Sequence, residues 1–430
     1  MGGQAFGTGP DAPYTPRMPT PVYQQVRDNC HGALREHFLY VATPIPGPAK
    51  ADHGDIDILV AIERRTIFPR DSGEAAGRET SQLMKVIMDA LKADHAIVTG
   101  NSANLAIPWP EEMVDEEGDT QMSDRDPNVP KKQHIQVDVR ICADLDQLCW
   151  VLFKHGHGDM WNILGSTIRP LGLTVDEDAM YLRIPEIEEF DRKRAKIMLS
   201  NDPVEILHFL GLRIEGYWDQ EFGSVQAMFD YVTTCRLFWV RQGKKGNVGV
   251  VGGEEGCKNL KSNDRRRMTG RSVYRKWVTE FIPQLQAEGK FAPADPTKSM
   301  ADMRTAVRDE AFTFFHVEQE YRRRLREWQI ERNMLQVKGL VKAHVPPLEP
   351  QLRGCTMSAL RKILLEDDGS FKIARPAALK ASDGIYDLEA VKSFIVENWK
   401  QVSRVAWFRY YGEWPQDQQP SLKRKADEAL

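Results

Sequence analysis

The run "GDIDILV", residues 54 to 60, puts Asp55 and Asp57 one residue apart in an apolar stretch behind Gly54. On a strand, side chains alternate with period two. The two carboxylates therefore leave the same face, roughly 7 Å apart along the backbone, while Ile56, Ile58 and Val60 pack on the other. Like charges held this close raise each other's proton affinity unless a cation sits with them. Oxygen donors on a rigid strand suit Mg²⁺ or Mn²⁺, which take one or two carboxylates with phosphate oxygens and water. A two-metal phosphoryl-transfer centre needs one carboxylate more. "HIQVDVRIC" offers it: Ile135, Val137, Val139 and Ile141 alternate with Gln136, Asp138 and Arg140. Asp55, Asp57 and Asp138 are thus candidate metal ligands and catalytic residues.

The elements that must position these residues can be traced along the chain. Val22, Val26, Cys30, Leu34 and Phe38 recur by fours, predicting an amphipathic helix over "VYQQVRDNCHGALREHFLY" that "TPIPGPAK" stops. "DIDILVAIE" follows as a strand, "SQLMKVIMDALKAD" as a helix, and "HAIVTG" and "NLAIPWP" as strands. Residues 111 to 132, acidic and nearly without large apolar side chains, predict a solvated loop inserted before the Asp138 strand. "DLDQLCWVLFKH" and "DMWNILGSTI" predict helices, the first preceded by Asp144 as a cap. "GLTVDEDAMYLRI" predicts a hairpin.

Beyond about residue 190 the pattern turns helical. Asp202 caps a helix beginning at Pro203, "SVQAMFDYVTTCRLFWVRQ" is another, and a third runs from about Ser299 to Lys342. The expected class is α+β. Residues 1–21 form a disordered arm, 22–189 the α/β domain, 190–414 a helical C-terminal domain and 415–430 a polar, basic tail.

These pieces, in this order, resemble the palm of the polymerase β-like (family X) nucleotidyltransferases. That family pairs a Gly-Asp-x-Asp strand with a later strand of the "VDVR" kind, then a helix, a Gly-containing turn and a helix start like "DMWN". The resemblance spans roughly residues 22 to 185. It implies a mixed palm sheet with flanking helices, and a Mg²⁺-dependent transferase moving a nucleoside monophosphate from an NTP or dNTP to an acceptor hydroxyl. It also implies that Asp55, Asp57 and Asp138 hold the metal, and that Asp159 and Asn162 lie beside the incoming base and sugar. Arg140 would form a switchable ion pair with a site carboxylate; a static salt bridge is the alternative. The family's phosphate-binding Gly-Ser stands here as Gly47-Pro48, and Pro48 has neither hydroxyl nor backbone N–H to offer. Gly47, Lys50 and Gly54 remain the nucleotide-binding candidates of that loop, with His53 a further source of charge. His155 and His157 could touch phosphate or be ordinary turn histidines.

Composition limits the rest. A hydrophobic content of 41% with 28% charged residues is that of a globular chain, and a net charge of -4 argues against bulk coating of nucleic acid. A DNA or RNA partner needs a local basic patch. "NLKSNDRRRMTGRSVYRKW" supplies one, from Lys258 and Lys261 through Arg265, Arg266, Arg267, Arg271, Arg275 and Lys276, with Tyr274 and Trp277 available to stack on bases or to belong to a plain helix. A small-molecule or protein hydroxyl is the rival acceptor, and a non-catalytic nucleotide- or nucleic-acid-binding module on the same fold is the rival function. "GKKGNVGVVGGEEG" lacks dinucleotide spacing and reads as a loop, and "EQEYRRRLREWQIERN" as a salt-bridged helix surface. The six cysteines include no CxxC. Reduced thiols, no disulfide-linked partner and no membrane span are expected. The N-terminus has neither a signal-peptide core nor a myristoylation pattern, since Phe6 stands where Ser or Thr is required. An intracellular protein follows, nuclear or cytoplasmic, with "SLKRKADEAL" as a short import-like cluster.

Overall fold

Alternation along the two aspartate strands decides the central layer. In the computed structural model, which describes residues 3, 5–7, 12–67, 79–110, 132–240, 262–293, 295 and 297–412, those strands lie side by side in a five-stranded mixed sheet. Its strands are β1 (Phe38–Ala42), β2 (Ile56–Glu63), β3 (His95–Thr99), β4 (Ser102–Pro108) and β5 (His134–Cys142), in the order β1-β2-β5-β4-β3. Only β2 and β5 run parallel; the other neighbours are antiparallel. The class is α+β, as expected.

One face of the sheet makes the main core. Ile56, Ile58 and Val60 of β2 pack with Ile135, Val137 and Val139 of β5 and Ala103, Leu105 and Ile107 of β4. Two helices cover them: α1 (Thr20–Arg35) through Val22, Val26, Cys30 and Leu34, and α2 (Thr80–Ala90) through Met84 and Ile87. Each large aliphatic side chain fully buried here contributes about 1.5–3 kcal/mol of transfer free energy. On the opposite face Leu59, Ala61 and Cys142 meet Leu148 and Val151 of α3 (Leu145–His155). Asp144 caps α3, its Oδ1 accepting from the N–H of Gln147 at 2.8 Å. Asp55 and Asp57 belong to this second face, beyond the part that α3 covers.

The chain then forms α4 (Met160–Ile168) and an antiparallel sheet of β6 (Leu173–Val175), β7 (Met180–Arg183) and β8 (Lys196–Ser200), ordered β8-β7-β6. The expected hairpin is β6–β7, with Thr174 opposite Tyr181; β8 has no counterpart in the sequence reading. Further on come α5 (Pro203–Leu210, capped by Asp202), α6 (Val225–Thr233), α7 (Ser262–Gly270), α8 (Ser272–Lys276) and α9 (Met300–Phe315).

Several expectations are corrected. The first helix ends at Arg35, and "FLYVA" is strand β1, not its last turn. The helix expected through Gln242 stops at Thr233. The one expected from Ser299 to Lys342 breaks at His316, whose left-handed φ of +56° ends α9 before a new helix begins at Glu318. The chain groups into two compact units, 1–185 with 192–317, and 186–191 with 318–430.

The second unit is helical. α10 (Glu318–His344), α11 (Pro350–Arg361) and α12 (Leu388–Tyr411) enclose their own core, including Val337, Val341, Leu360, Ile395, Val402 and Trp407. Glu318–Arg322, Glu320–Arg323, Glu320–Arg324 and Arg323–Glu327 pairs line α10, as its charge spacing predicts.

The arm over residues 1–21, expected to be disordered, is placed wherever it is described. Phe6 and Met18 are buried, Met18 pairs with His53 across a two-residue bridge, and the N–H of His134 donates to the Tyr14 carbonyl at 2.8 Å. The acidic insertion up to residue 131, the Gly-rich run, Lys258, Lys261 and the tail lie outside the described residues. Among the described residues no helix is long and apolar enough to cross a membrane, and Cys30, Cys142, Cys149, Cys235 and Cys355 are free thiols.

Candidate active site

The parallel register sets Asp57 directly opposite Asp138, and the antiparallel register on the far side sets Asn104 opposite Asp138. Neighbouring strands lie about 4.8 Å apart, so Asp57, Asp138 and Asn104 form one row across the sheet. Asp55 stands one alternation step before Asp57. Asn104 Nδ2 donates to Asp138 Oδ1 at 2.6 Å, and Gln136 Nε2 donates to the same oxygen at 2.8 Å. Asp55 accepts from the backbone N–H of Gly3, which reaches Oδ2 at 3.1 Å.

Asp55 and Asp57 line a cleft of about 1510 Å³. Asp138 is not among its lining residues; it lies one strand further in, half-buried. The Asp57 side chain is wetted by the cleft yet walled by protein. Loss of bulk solvation, then the charges of Asp55 and Asp138, push its carboxyl up to about 7, against a smaller opposing pull from Lys50. Burial also raises the Asp138 carboxyl, partly offset by its Asn104 and Gln136 hydrogen bonds. No ion pair reaches Asp55, Asp57 or Asp138 among the described residues.

That donor set fits a hard divalent cation. It is carboxylate oxygen only, and it carries like charge without a basic partner. Among the described residues no three His, Cys, Asp or Glu side chains are already gathered round one point, so a cation would have to draw Asp55 and Asp57 together.

The loop before the aspartates differs from the family pattern in shape as well as sequence. Pro48 and Ala49 form a turn and no helix starts there. Gly47 instead meets the turn before α4: a Cβ on Gly158 would stand 2.9 Å from the Gly47 Cα. Gly47, Lys50 and Gly54 all line the cleft. His53 lines it too, but its ring is buried and stacked on Tyr23 with centroids 3.8 Å apart. Burial, then Lys50 and Arg17, lower its pKa, which keeps it neutral and unsuited to pairing with phosphate.

Arg266, Arg267, Arg271, Arg275 and Lys276 of α7, α8 and their junction line the same cleft. Arg271 Nη1 binds Asp159 Oδ1 at 2.6 Å, Arg267 Nε donates to Asn162 Oδ1 at 3.2 Å, and Asn162 Nδ2 donates to Asp159 Oδ1. Asp159 and Asn162 are therefore in the cleft, but they are engaged with the basic wall. Arg266, Arg275, Lys276 and Lys50 form no ion pair among the described residues. Lys154 pairs with Glu177, and Arg17 with Asp52.

Most of the other candidates stand off the cleft lining. Arg140 lies off the cleft lining and pairs with no carboxylate among the described residues; its Nε is buried without an acceptor. Its charge is felt at Cys142, His155 and Glu177 rather than at the aspartates. Tyr274 and Trp277 are buried, Trp277 against Phe229, Phe238 and Phe281, so neither is free to stack on a base. His157 is 1% exposed and serves the core, its Nε2–H donating to the Tyr217 carbonyl at 2.8 Å. His155 is exposed and lines the cleft.

Asn104, Gln136 and Tyr23 escaped the sequence reading. Gln136 had a signal, two residues before Asp138 on the same face. Asn104 had none, since only strand register brings it there. A scan against protein-family models and a search of curated proteins found no match to this chain.

Proposed function

We propose that this chain is a Mg²⁺-dependent nucleotidyltransferase on a polymerase β-like palm. The supporting observation is the in-register pairing of Asp57 with Asp138, with Asp55 one alternation step away, where Asp55 and Asp57 line a cleft that also carries uncommitted cations. Asp55 and Asp57 would hold the ion on the triphosphate, and Asp57 and Asp138 the one beside the acceptor. Bound Mg²⁺ supplies charge neutralisation and lowers the pKa of the attacking hydroxyl. The acceptor oxygen would bond to the α-phosphorus and release its proton to solvent water. The bond to the β-phosphate oxygen breaks, and pyrophosphate leaves with the electron pair. The protein's part is positioning and electrostatics.

Lys50, Arg266, Arg275 and Lys276 favour a polyanionic acceptor, with a DNA or RNA 3′-hydroxyl ahead of a small-molecule or protein hydroxyl. Asp138→Asn should abolish transfer of labelled nucleotide while leaving NTP binding largely intact; turnover equal to the parent protein refutes the assignment. Mobility shifts titrated against salt separate the acceptors, because phosphate contacts weaken steeply as salt rises. The turn at Pro48 and Ala49, in place of a donor-bearing helix start, favours a second reading, a nucleotide-binding module without turnover. NTP binding without pyrophosphate release under any acceptor would select it.

A further inference from the structure

We infer that Gly3 and Ala5 of the N-terminal arm are positioning residues of the carboxylate centre and set its affinity for the divalent cation. The inference rests on the metal-binding reading above and adds a part of the chain that the palm resemblance does not cover. The Gly3 N–H donates to Asp55 Oδ2 at 3.1 Å. The Ala5 N–H donates to Gln136 Oε1 at 3.0 Å, and the Gln136 amide passes the contact on, its Nε2 donating to Asp138 Oδ1 at 2.8 Å. Two backbone donors of one short segment thus reach both outer aspartates, one directly and one through a buried amide.

Each contact has a geometric consequence. A donor on Oδ2 fixes the Asp55 carboxylate plane and leaves Oδ1 to face the cation. The Ala5 donor decides which way the Gln136 amide points, so that its NH₂ and not its oxygen meets Asp138. Groups that orient metal ligands in this way commonly carry tenfold or more in metal affinity.

The arm is built to reach that place. Gly3 has φ of +79°, and a Cβ there would lie 2.0 Å from the Gly54 carbonyl oxygen, so only glycine can lie against the residue that precedes Asp55. Buried Phe6, the Tyr14 carbonyl on the His134 N–H, and buried Met18 anchor the segment behind it. An arm that blocked the centre would be expected to bring a cation to the aspartates. Arg17 is committed to Asp52 at 2.9 Å, and what reaches the carboxylates is neutral N–H.

The test is Mn²⁺ binding to the full chain, by calorimetry and by the resonance of the free ion. Parent protein, Gly3→Ala, Ala5→Pro, Asp57→Asn and the control Gly7→Ala are compared, with melting followed in metal-free buffer. Gly3→Ala and Ala5→Pro should each weaken Mn²⁺ about tenfold, beyond any loss of folded protein that the melting midpoints show, while Gly7→Ala binds as the parent does. Parent-like affinity in both arm variants overturns the inference while leaving the metal centre standing, and tighter binding in either would make the arm inhibitory and also overturn it. Parent protein that binds no Mn²⁺, or binds it equally well after Asp57→Asn, overturns the centre and the inference with it.

Discussion

At the scale of single residues, the carboxylates and histidines of this chain are governed by what surrounds them. Burial, then the charges of Asp55 and Asp138, lifts Asp57 to about 7, whereas His157 is lowered by burial, an effect its hydrogen bond to the Tyr217 carbonyl only partly offsets. The Nε2–H of His157 is committed, and its Nδ1 is buried with no partner, so protonation would put an unsatisfied N–H in the core. A histidine whose folded pKa lies below its unfolded value near 6.5 costs nothing above that pH. As pH falls below 6.5 the unfolded chain takes up the proton first, and stability declines until the folded pKa is passed. Denaturant melts should therefore lose at most about 1.4 kcal/mol per pH unit from this group as pH drops below 6.5. In His157→Gln that part of the slope should vanish. An identical slope in the variant would show that other groups carry it.

Among elements, the contact between the 43–51 loop and the turn before α4 is backbone against backbone. Gly158 has φ of +64°, and its added Cβ would meet the Gly47 Cα at 2.9 Å. Gly158→Ala should therefore cost about 1–3 kcal/mol in urea melts, from left-handed strain with overlap added. A cost near zero would mean that the two loops separate freely. The same scale shows what the sequence could reveal. Alternation placed Asp55 and Asp57 on one face and Asp138 with Gln136 on another strand's face, because period two is written in the residue types. Which residue lies opposite which is not: the Asp57–Asp138 and Asn104–Asp138 pairings depend on registers set by the whole sheet. "FLYVA" was hidden because Phe38 continues the helical spacing of α1. The basic segment was visible as charge, but its place in the same cleft lining as Asp55 and Asp57 was not. Nor was the burial of Tyr274 and Trp277, since an aromatic among arginines has the same composition whether it faces solvent or core.

For the whole molecule, two cores imply two folding units. The helical unit encloses Trp407, 4% exposed, in a cluster containing only its own residues. Trp407→Ala should remove about 3–5 kcal/mol from that unit and lower one of two calorimetric transitions, leaving the other in place. A single transition shifting as a body would show that the units unfold together. The helix expected from Ser299 to Lys342 hid its break, because a single left-handed residue, His316, leaves no mark in the residue types.

Phosphoryl transfer at Asp55, Asp57 and Asp138 is the proposed chemistry. Pyrophosphate release with Mg²⁺, each NTP and a mixed pool of RNA, nicked DNA and cell extract tests it most directly, parent protein against Asp57→Asn. Metal-dependent release is expected from the parent with at least one nucleotide, and none from the variant. Equal release from both, or none from the parent under any combination, contradicts it.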